Sequence, residues 1–295
     1  MIDPQQLHRL LERFEAVLAR AEAALPALPP PVDWQGACAF RWRRCDGRSA
    51  LVAVTHPHTI SLGDLTGIDD QKARVVANTR QFLARRPANN VLLTGARGSG
   101  KSSLVKAVFN EFAERGLRLI EVDKDDLVDL PDLVDRLAGR RERFIVFCDD
   151  LSFEAGETAY KALKSVLDGS VAAPPENVLI YATSNRRHLM PEYFSENLET
   201  HRVGDEIHPG ETTEEKVSLS ERFGLWLSFY PFDQDAYLAI CAQWLKNFGF
   251  DEKSAVATRQ HIRHEALQWA LMRGSRSGRV AWQFARDYAG RHATK

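Results

Sequence analysis

The sequence is short of cysteine, with four in 295 residues, and Cys38, Cys45, Cys148 and Cys241 form no CxxC pair. That scatter excludes a zinc ribbon or a disulfide-stapled scaffold and fits reduced thiols. Net charge is lacking too. Lys and Arg number 39 against 40 Asp and Glu, leaving −1, so bulk charge indicates neither a nucleic-acid nor a membrane partner and leaves only local patches open. No apolar run approaches the roughly 18 to 20 residues that span a bilayer. Asp3, Glu12 and Glu15 lie among the N-terminal leucines, unlike a secretory signal. A cytoplasmic protein, long enough to bury a substantial core, is the expectation.

Against those absences stands one dense motif, VLLTGARGSGKSS, Val91 to Ser103. Gly95, Gly100, Lys101 and Ser102 fill the GxxxxGK[ST] pattern, Val91 to Leu93 read as the strand before it, and Leu104, Val105, Val108, Phe109 and Phe112 as one face of the helix after it. A random chain of this length meets the bare pattern about once in a hundred times, and the flanking elements lower that further. Gly95, Gly98 and Gly100, with Ala96, Arg97 and Ser99 between them, let the backbone turn its N–H groups inward. Together with the helix N-terminus, where Ser103 also lies, they form a cradle for anionic oxygens. Lys101 then stands where β and γ phosphates would lie, and the Ser102 hydroxyl where Mg²⁺ would be ligated.

Before this loop, Leu7, Leu10, Leu11, Phe14, Val17 and Leu18 recur at helical spacing, and Pro26 with Pro29 to Pro31 ends that helix in an extended linker. The helix either docks on the core or serves an oligomer or partner contact. Ala39 to Arg44 and Ser49 to Val54 read as a hairpin about Asp46-Gly47. Phe40 and Trp42 share one face, Arg41 and Arg43 the other, with Arg44 and Arg48 near the tip. A half-buried sheet with a solvated face explains this alternation better than a nucleic-acid surface. His56 and His58 have no third ligand in view for a metal.

After the loop helix, strands and helices alternate up to Val178–Ala182, which predicts a parallel sheet with helices on both faces and a ligand site at the strand carboxyl ends. At one such end FIVFCDD runs into Asp149, the Walker B arrangement, which holds the Mg²⁺ shell opposite Ser102. Asp150 beside it is the candidate for orienting an attacking water, one methylene shorter than the usual glutamate, with Glu154 as the alternative. A guanine-nucleotide reading fails, because no glycine follows Asp149 at the third position and Asp123-Lys124-Asp125-Asp126 lacks the required Asn or Thr at its head. Asn185 closes another apolar strand; it lies beside the γ phosphate if that strand sits between the loop and Walker B strands, and is otherwise a turn residue. Beyond residue 230 the chain turns helical. Asp233 and Ser277 read as caps, and Arg279 sits in a first turn, where a cation is mildly unfavourable.

This order of parts resembles the AAA+ ATPases. DLTGIDDQK (64 to 72), GARGSGKSS (95 to 103), FCDDLSFE (147 to 154), YATSNRRHL (181 to 189) and LSERFGLWLSF (219 to 229) resemble more closely a bacterial AAA+ ATP-binding family of unassigned role, from about Thr55 onward. The paired aspartates also resemble those of replication-loader AAA+ proteins. The resemblance implies an α/β/α phosphate-loop fold with a parallel five-stranded sheet, a small C-terminal helical lid, and an N-terminal helix and hairpin. Its boundaries are residues 1–54, 55–230 and 231–295. It implies that Leu65, Gly67 and Ile68 line an adenine pocket, that Asn185 is sensor 1, and that Arg279 is sensor 2. Arg222 becomes a finger reaching the nucleotide of a neighbouring copy.

The expected function is therefore Mg²⁺-dependent ATP binding and hydrolysis, cycling between ATP and ADP, in a homo-oligomer that acts on an unidentified client. Two other classes are a nucleotide-holding interaction module with negligible turnover and a phosphate-loop kinase acting on a small molecule. The kinase class fits less well because its lid is usually inserted within the core.

Overall fold

The computed structural model describes residues 4–24, 31–45, 48–153, 157–169, 173–185, 201–203, 206–208, 219–250 and 256–292. The centre is a sheet whose strands are β1 (Ala39–Cys45), β2 (Arg48–Ala53), β3 (Val91–Gly95), β4 (Leu117–Val122), β5 (Arg143–Cys148), β6 (Val178–Ser184) and, last in the chain, Leu225–Phe229. A two-stranded hairpin, β7 (His201–Val203) and β8 (Glu206–His208), precedes that last strand, which is thus β9. The spatial order is β2-β1-β4-β5-β6-β3-β9, parallel throughout except for β2.

Five of these strands, β4-β5-β6-β3-β9, are the expected parallel core. The sheet is nevertheless seven strands wide, because the N-terminal hairpin extends it. β1 pairs with β4 from Ala39↔Leu119 to Trp42↔Val122. The reason is burial: Phe40 and Trp42 are each 1% exposed, Trp34 packs on Phe40 and edge-on to Phe144, and the Arg136 guanidinium lies 5.1 Å from the Trp42 ring. Burying aromatics of this size contributes about 1.5 to 3 kcal/mol each, which is more than an isolated two-stranded hairpin can supply for itself.

Helices cover both faces. α2 (Asp69–Leu83) and α3 (Lys101–Phe112) bury Val75, Phe82, Leu104, Val108 and Phe112 on one side; α4 (Leu130–Leu137) and α5 (Thr158–Asp168) bury Leu130, Leu133, Leu137, Tyr160 and Leu163 on the other. Gly116, at φ 92°, ends the α3 segment.

Three helices form the C-terminal region: α6 (Gln234–Asn247), α7 (Val256–Arg273) and α8 (Gly278–His292), with their own apolar centre of Tyr237, Ile240, Leu245, Phe284 and Tyr288. Asp233 caps α6 by accepting from the Ala236 amide at 2.8 Å, and the Ser277 hydroxyl accepts from the Val280 amide at 3.2 Å. The N-terminal helix α1 (Pro4–Ala24) stands apart from this packing, since every residue from 5 to 20 is exposed. Docking on the core, one of its two readings, does not occur among the described residues. No helix among them is long and apolar enough to cross a membrane.

Candidate functional site

β3 ends where a glycine is required. At Gly95, φ is 129°, and a Cβ would run into the Phe229 carbonyl oxygen of neighbouring β9, which also accepts from the Ala96 amide at 3.3 Å. Gly98 is confined from the opposite direction. A Cβ there would stand 2.8 Å from the Ser277 hydroxyl, and its own carbonyl accepts from the Gly278 amide at 2.8 Å. The loop is thus pinned between a sheet strand and the start of α8. From it α3 projects with the unpaired amides that open any helix.

Lys101 is 5% exposed. Its ammonium donates to the Gly95 and Ala96 carbonyls, each at 2.8 Å, and to Asn185 Oδ1 at 3.0 Å. Burial, the largest influence, draws its pKa below the usual value; Asp150 and Asp149 oppose that, while Arg279 and Arg97 add to it. The parallel register sets Leu93 beside Thr183 and Cys148 beside Ala182, so the ends of β3, β5 and β6 meet. There Asp149 Oδ1 accepts from the Ser102 hydroxyl at 2.6 Å and from the Thr183 hydroxyl at 2.5 Å. Asp150 has a left-handed backbone, φ 52°, and its amide donates to Thr183 Oγ1 at 2.9 Å and Asp149 Oδ1 at 3.1 Å. Its carboxylate accepts from Asn185 Nδ2 and lies 3.8 Å from the Arg97 guanidinium.

These groups open into a cavity of about 670 Å³ between the sheet and the C-terminal helices. Its polar end holds Gly98, Lys101, Asp149 and Asn185, together with Arg97, Ser99, Gly100, Ser102 and Ser103 around the loop. The apolar end is walled by Leu65, Ile68, Ile240 and Trp244, and Trp282 and Arg279 close it from α8. The Thr66 hydroxyl on this wall is buried with no protein partner. Volume and lining suit a nucleotide, with apolar side chains at one end and cationic, amide-rich space at the other. The metal position also fits. Ser102 and Asp149 offer hard oxygen donors, and no cluster of three or more His, Cys, Asp or Glu able to hold a metal occurs among the described residues. So sparse a protein set suits Mg²⁺, which keeps waters and takes phosphate oxygens for most of its shell.

Most of the residues singled out from sequence converge here. Gly67 is set back, against the Phe232 ring, where a Cβ would approach to 3.2 Å. Ala96 lines a separate groove of about 890 Å³ with Phe232, Leu267, Gln268 and Leu271, whose lining has no carboxylate. Arg222 is not in the lining of the cavity; it follows Leu219 on the turn before β9 and pairs with Asp168 at the end of α5. Glu154 lies outside the described residues. Thr183, Trp244 and Trp282 are additions from the structure. On α8, positions 280, 284 and 288 face the helical core while 279, 282 and 283 line the cavity, so the second stripe is readable only once the lid is placed over the loop. Two of the four hairpin arginines are engaged locally: Arg41 donates to Glu121 at 2.8 Å and Arg44 to Asp129 at 2.5 Å.

Residues 35–292 match the family described as "Protein of unknown function (DUF815)", a match that starts before Thr55 and takes in the hairpin. A 126-residue stretch is 29% identical to proteasome-activating nucleotidase 2 of Haloferax volcanii, over 38% of this chain and 31% of that one. A point-substituted RuvB of Thermotoga maritima superimposes with a TM-score of 0.50 at 16% identity, over 77% of this chain and 64% of that one. A second RuvB variant gives 0.49 at 14%, over 77% and 63%. The chain spans about a third of the nucleotidase's length and just under two-thirds of the RuvB chains. Likeness at these identities is one of fold, and the fold is that of the AAA+ phosphate-loop ATPases.

Proposed function

The chain belongs to the DUF815 family, and on that premise we propose that it binds ATP with Mg²⁺ in the cavity between sheet and lid and hydrolyses it to drive movement of one against the other. The observation that carries this reading is the meeting of Lys101, Ser102, Asp149 and Asn185 within hydrogen-bond distance at three parallel strand ends. The loop amides and Lys101 hold the phosphates. Mg²⁺, when bound beside Ser102 and Asp149, neutralises phosphate oxygens and the leaving group. Water attacks the γ phosphorus, the bond to the β–γ bridging oxygen breaks, and ADP leaves; Asp150 or Glu154 takes up the water's proton, and Asn185 senses the γ position. Arg279 reports phosphate loss to the lid. Leu65 and Ile68, joined by Ile240 and Trp244, take the adenine ring.

Arg222 is read as a finger acting on a neighbouring copy, which requires it to exchange Asp168 for phosphate at a subunit boundary. Turnover then depends on assembly. A second reading, a nucleotide-holding module with negligible hydrolysis, draws on Asp150, whose short carboxylate is already engaged by Asn185 and Arg97. Calorimetry with Mg·ATP combined with phosphate release separates them. Binding with turnover supports the first reading and binding without turnover the second. Lys101→Ala is expected to weaken binding about 10- to 100-fold, as for loss of a charged hydrogen bond. No heat from the folded protein would sink both.

A further inference from the structure

Outside this cavity the least explained feature is α1. Leu7, Leu10, Leu11, Phe14, Val17 and Leu18 are 46–62% exposed, a continuous apolar face on a helix about 31 Å long. The helix lies ahead of residue 35, where the family match begins. Leu7, Leu11, Phe14 and Leu18 follow the four-three-four spacing of a helix-pairing seam, flanked by Leu10 and Val17 one heptad apart. The remaining face carries Arg9, Arg13 and Arg20 against Glu12, Glu15 and Glu22, a balance that does not suit an anionic lipid surface.

We propose that α1 pairs antiparallel with α1 of a second copy of this chain, joining two molecules independently of the nucleotide site. Setting Leu7 opposite Leu18 of the partner and Leu11 opposite Phe14 of the partner brings every seam position into an apolar layer under one twofold axis. The same register lays Leu10 against the partner's Val17 and places His8 beside the partner's Glu15. A parallel pair instead sets Leu10 against Glu15, stranding a carboxylate on an apolar group. Charge therefore selects the antiparallel arrangement.

The test is the mass of the 295-residue chain by sedimentation equilibrium without nucleotide, across about a hundredfold range of concentration. The expected species is a dimer of the 33.3 kDa chain, reverting to monomer in Leu11→Arg/Phe14→Arg with an unchanged thermal unfolding temperature, since α1 lies outside the core. His8→Glu and Glu15→Lys are each expected to weaken the dimer about threefold to tenfold, and the two together to restore it. A monomer at every concentration overturns the proposal, as does a dimer indifferent to the arginine substitutions. Failure of the double exchange to restore affinity overturns the antiparallel register, and binding of the monomer to anionic vesicles would assign the face to lipid instead.

Discussion

Asp150 carries the tension of the site at the scale of one residue. It takes a left-handed backbone that few non-glycine residues adopt, at a cost of order 1 kcal/mol or more, and is held there by bonds from its amide to Thr183 and Asp149. The geometry engages both oxygens of a short carboxylate, one with Asn185 and the other facing the Arg97 guanidinium of the loop. If reach limits hydrolysis, Asp150→Glu should raise phosphate release severalfold while ATP affinity stays within about twofold, and Asp150→Asn should lower it. Single-turnover assays decide this, and a fall in rate for the glutamate variant would show that the shorter side chain is the one matched to the pocket. At the same scale, Arg222→Ala should leave binding intact and cost on the order of 10³ in turnover, with the unmodified protein's specific activity rising as its concentration rises. Equal activity in a strictly monomeric sample would remove Arg222 from the mechanism. Single residues with obligatory chemistry are what the sequence declares most openly. Gly95, Lys101 and Ser102 are legible from motif spacing and Asp149 from the apolar run it ends, whereas Thr183 is an unremarked threonine until β5 and β6 are laid side by side.

At the scale of elements, the hairpin is the place where local pattern and tertiary role part company. Alternation of Phe40 and Trp42 with Arg41 and Arg43 correctly marks a half-buried pair of strands. It cannot say which edge they join, because edge choice depends on β4, some 80 residues further on. Since Trp42 is packed under Arg136 and within the core of the α4 and α5 face, Trp42→Ala should lower the unfolding free energy of the whole protein by about 3 to 5 kcal/mol. A denaturant titration checks it; an effect near zero would mean that the hairpin folds apart from the sheet. The lid helices show the complementary limit. Their apolar periodicity finds the stripe that packs lid on lid, and hides Trp244 on α6 and Trp282 on α8, which line the cavity.

For the molecule as a whole, the question is how firmly lid and core hold each other. One tie is Asn247 of α6 donating at 2.7 Å to Oδ1 of Asp64, which lines the cavity. Burial alone would raise the Asp64 pKa, but hydrogen bonds from Ser61 and Asn247 outweigh it and hold the carboxylate below its ordinary 3.8. A lowered folded pKa means that this contribution is complete above that ordinary value and fades as pH falls through the folded one. Asn247→Ala should therefore steepen lid opening less in acid than the unmodified protein does, as read by Trp244 and Trp282 fluorescence between neutral pH and pH 3. Identical acid profiles would show that the tie does not hold the lid.

The other tie is main chain to main chain, from the Gly278 amide to the Gly98 carbonyl. Because neither partner is a side chain, substitutions other than proline at position 278 leave the donor and acceptor of this latch in place. On the proposed reading, any shift of the glycine-rich turn around a phosphate passes through the backbone to the start of α8, and so to the cover.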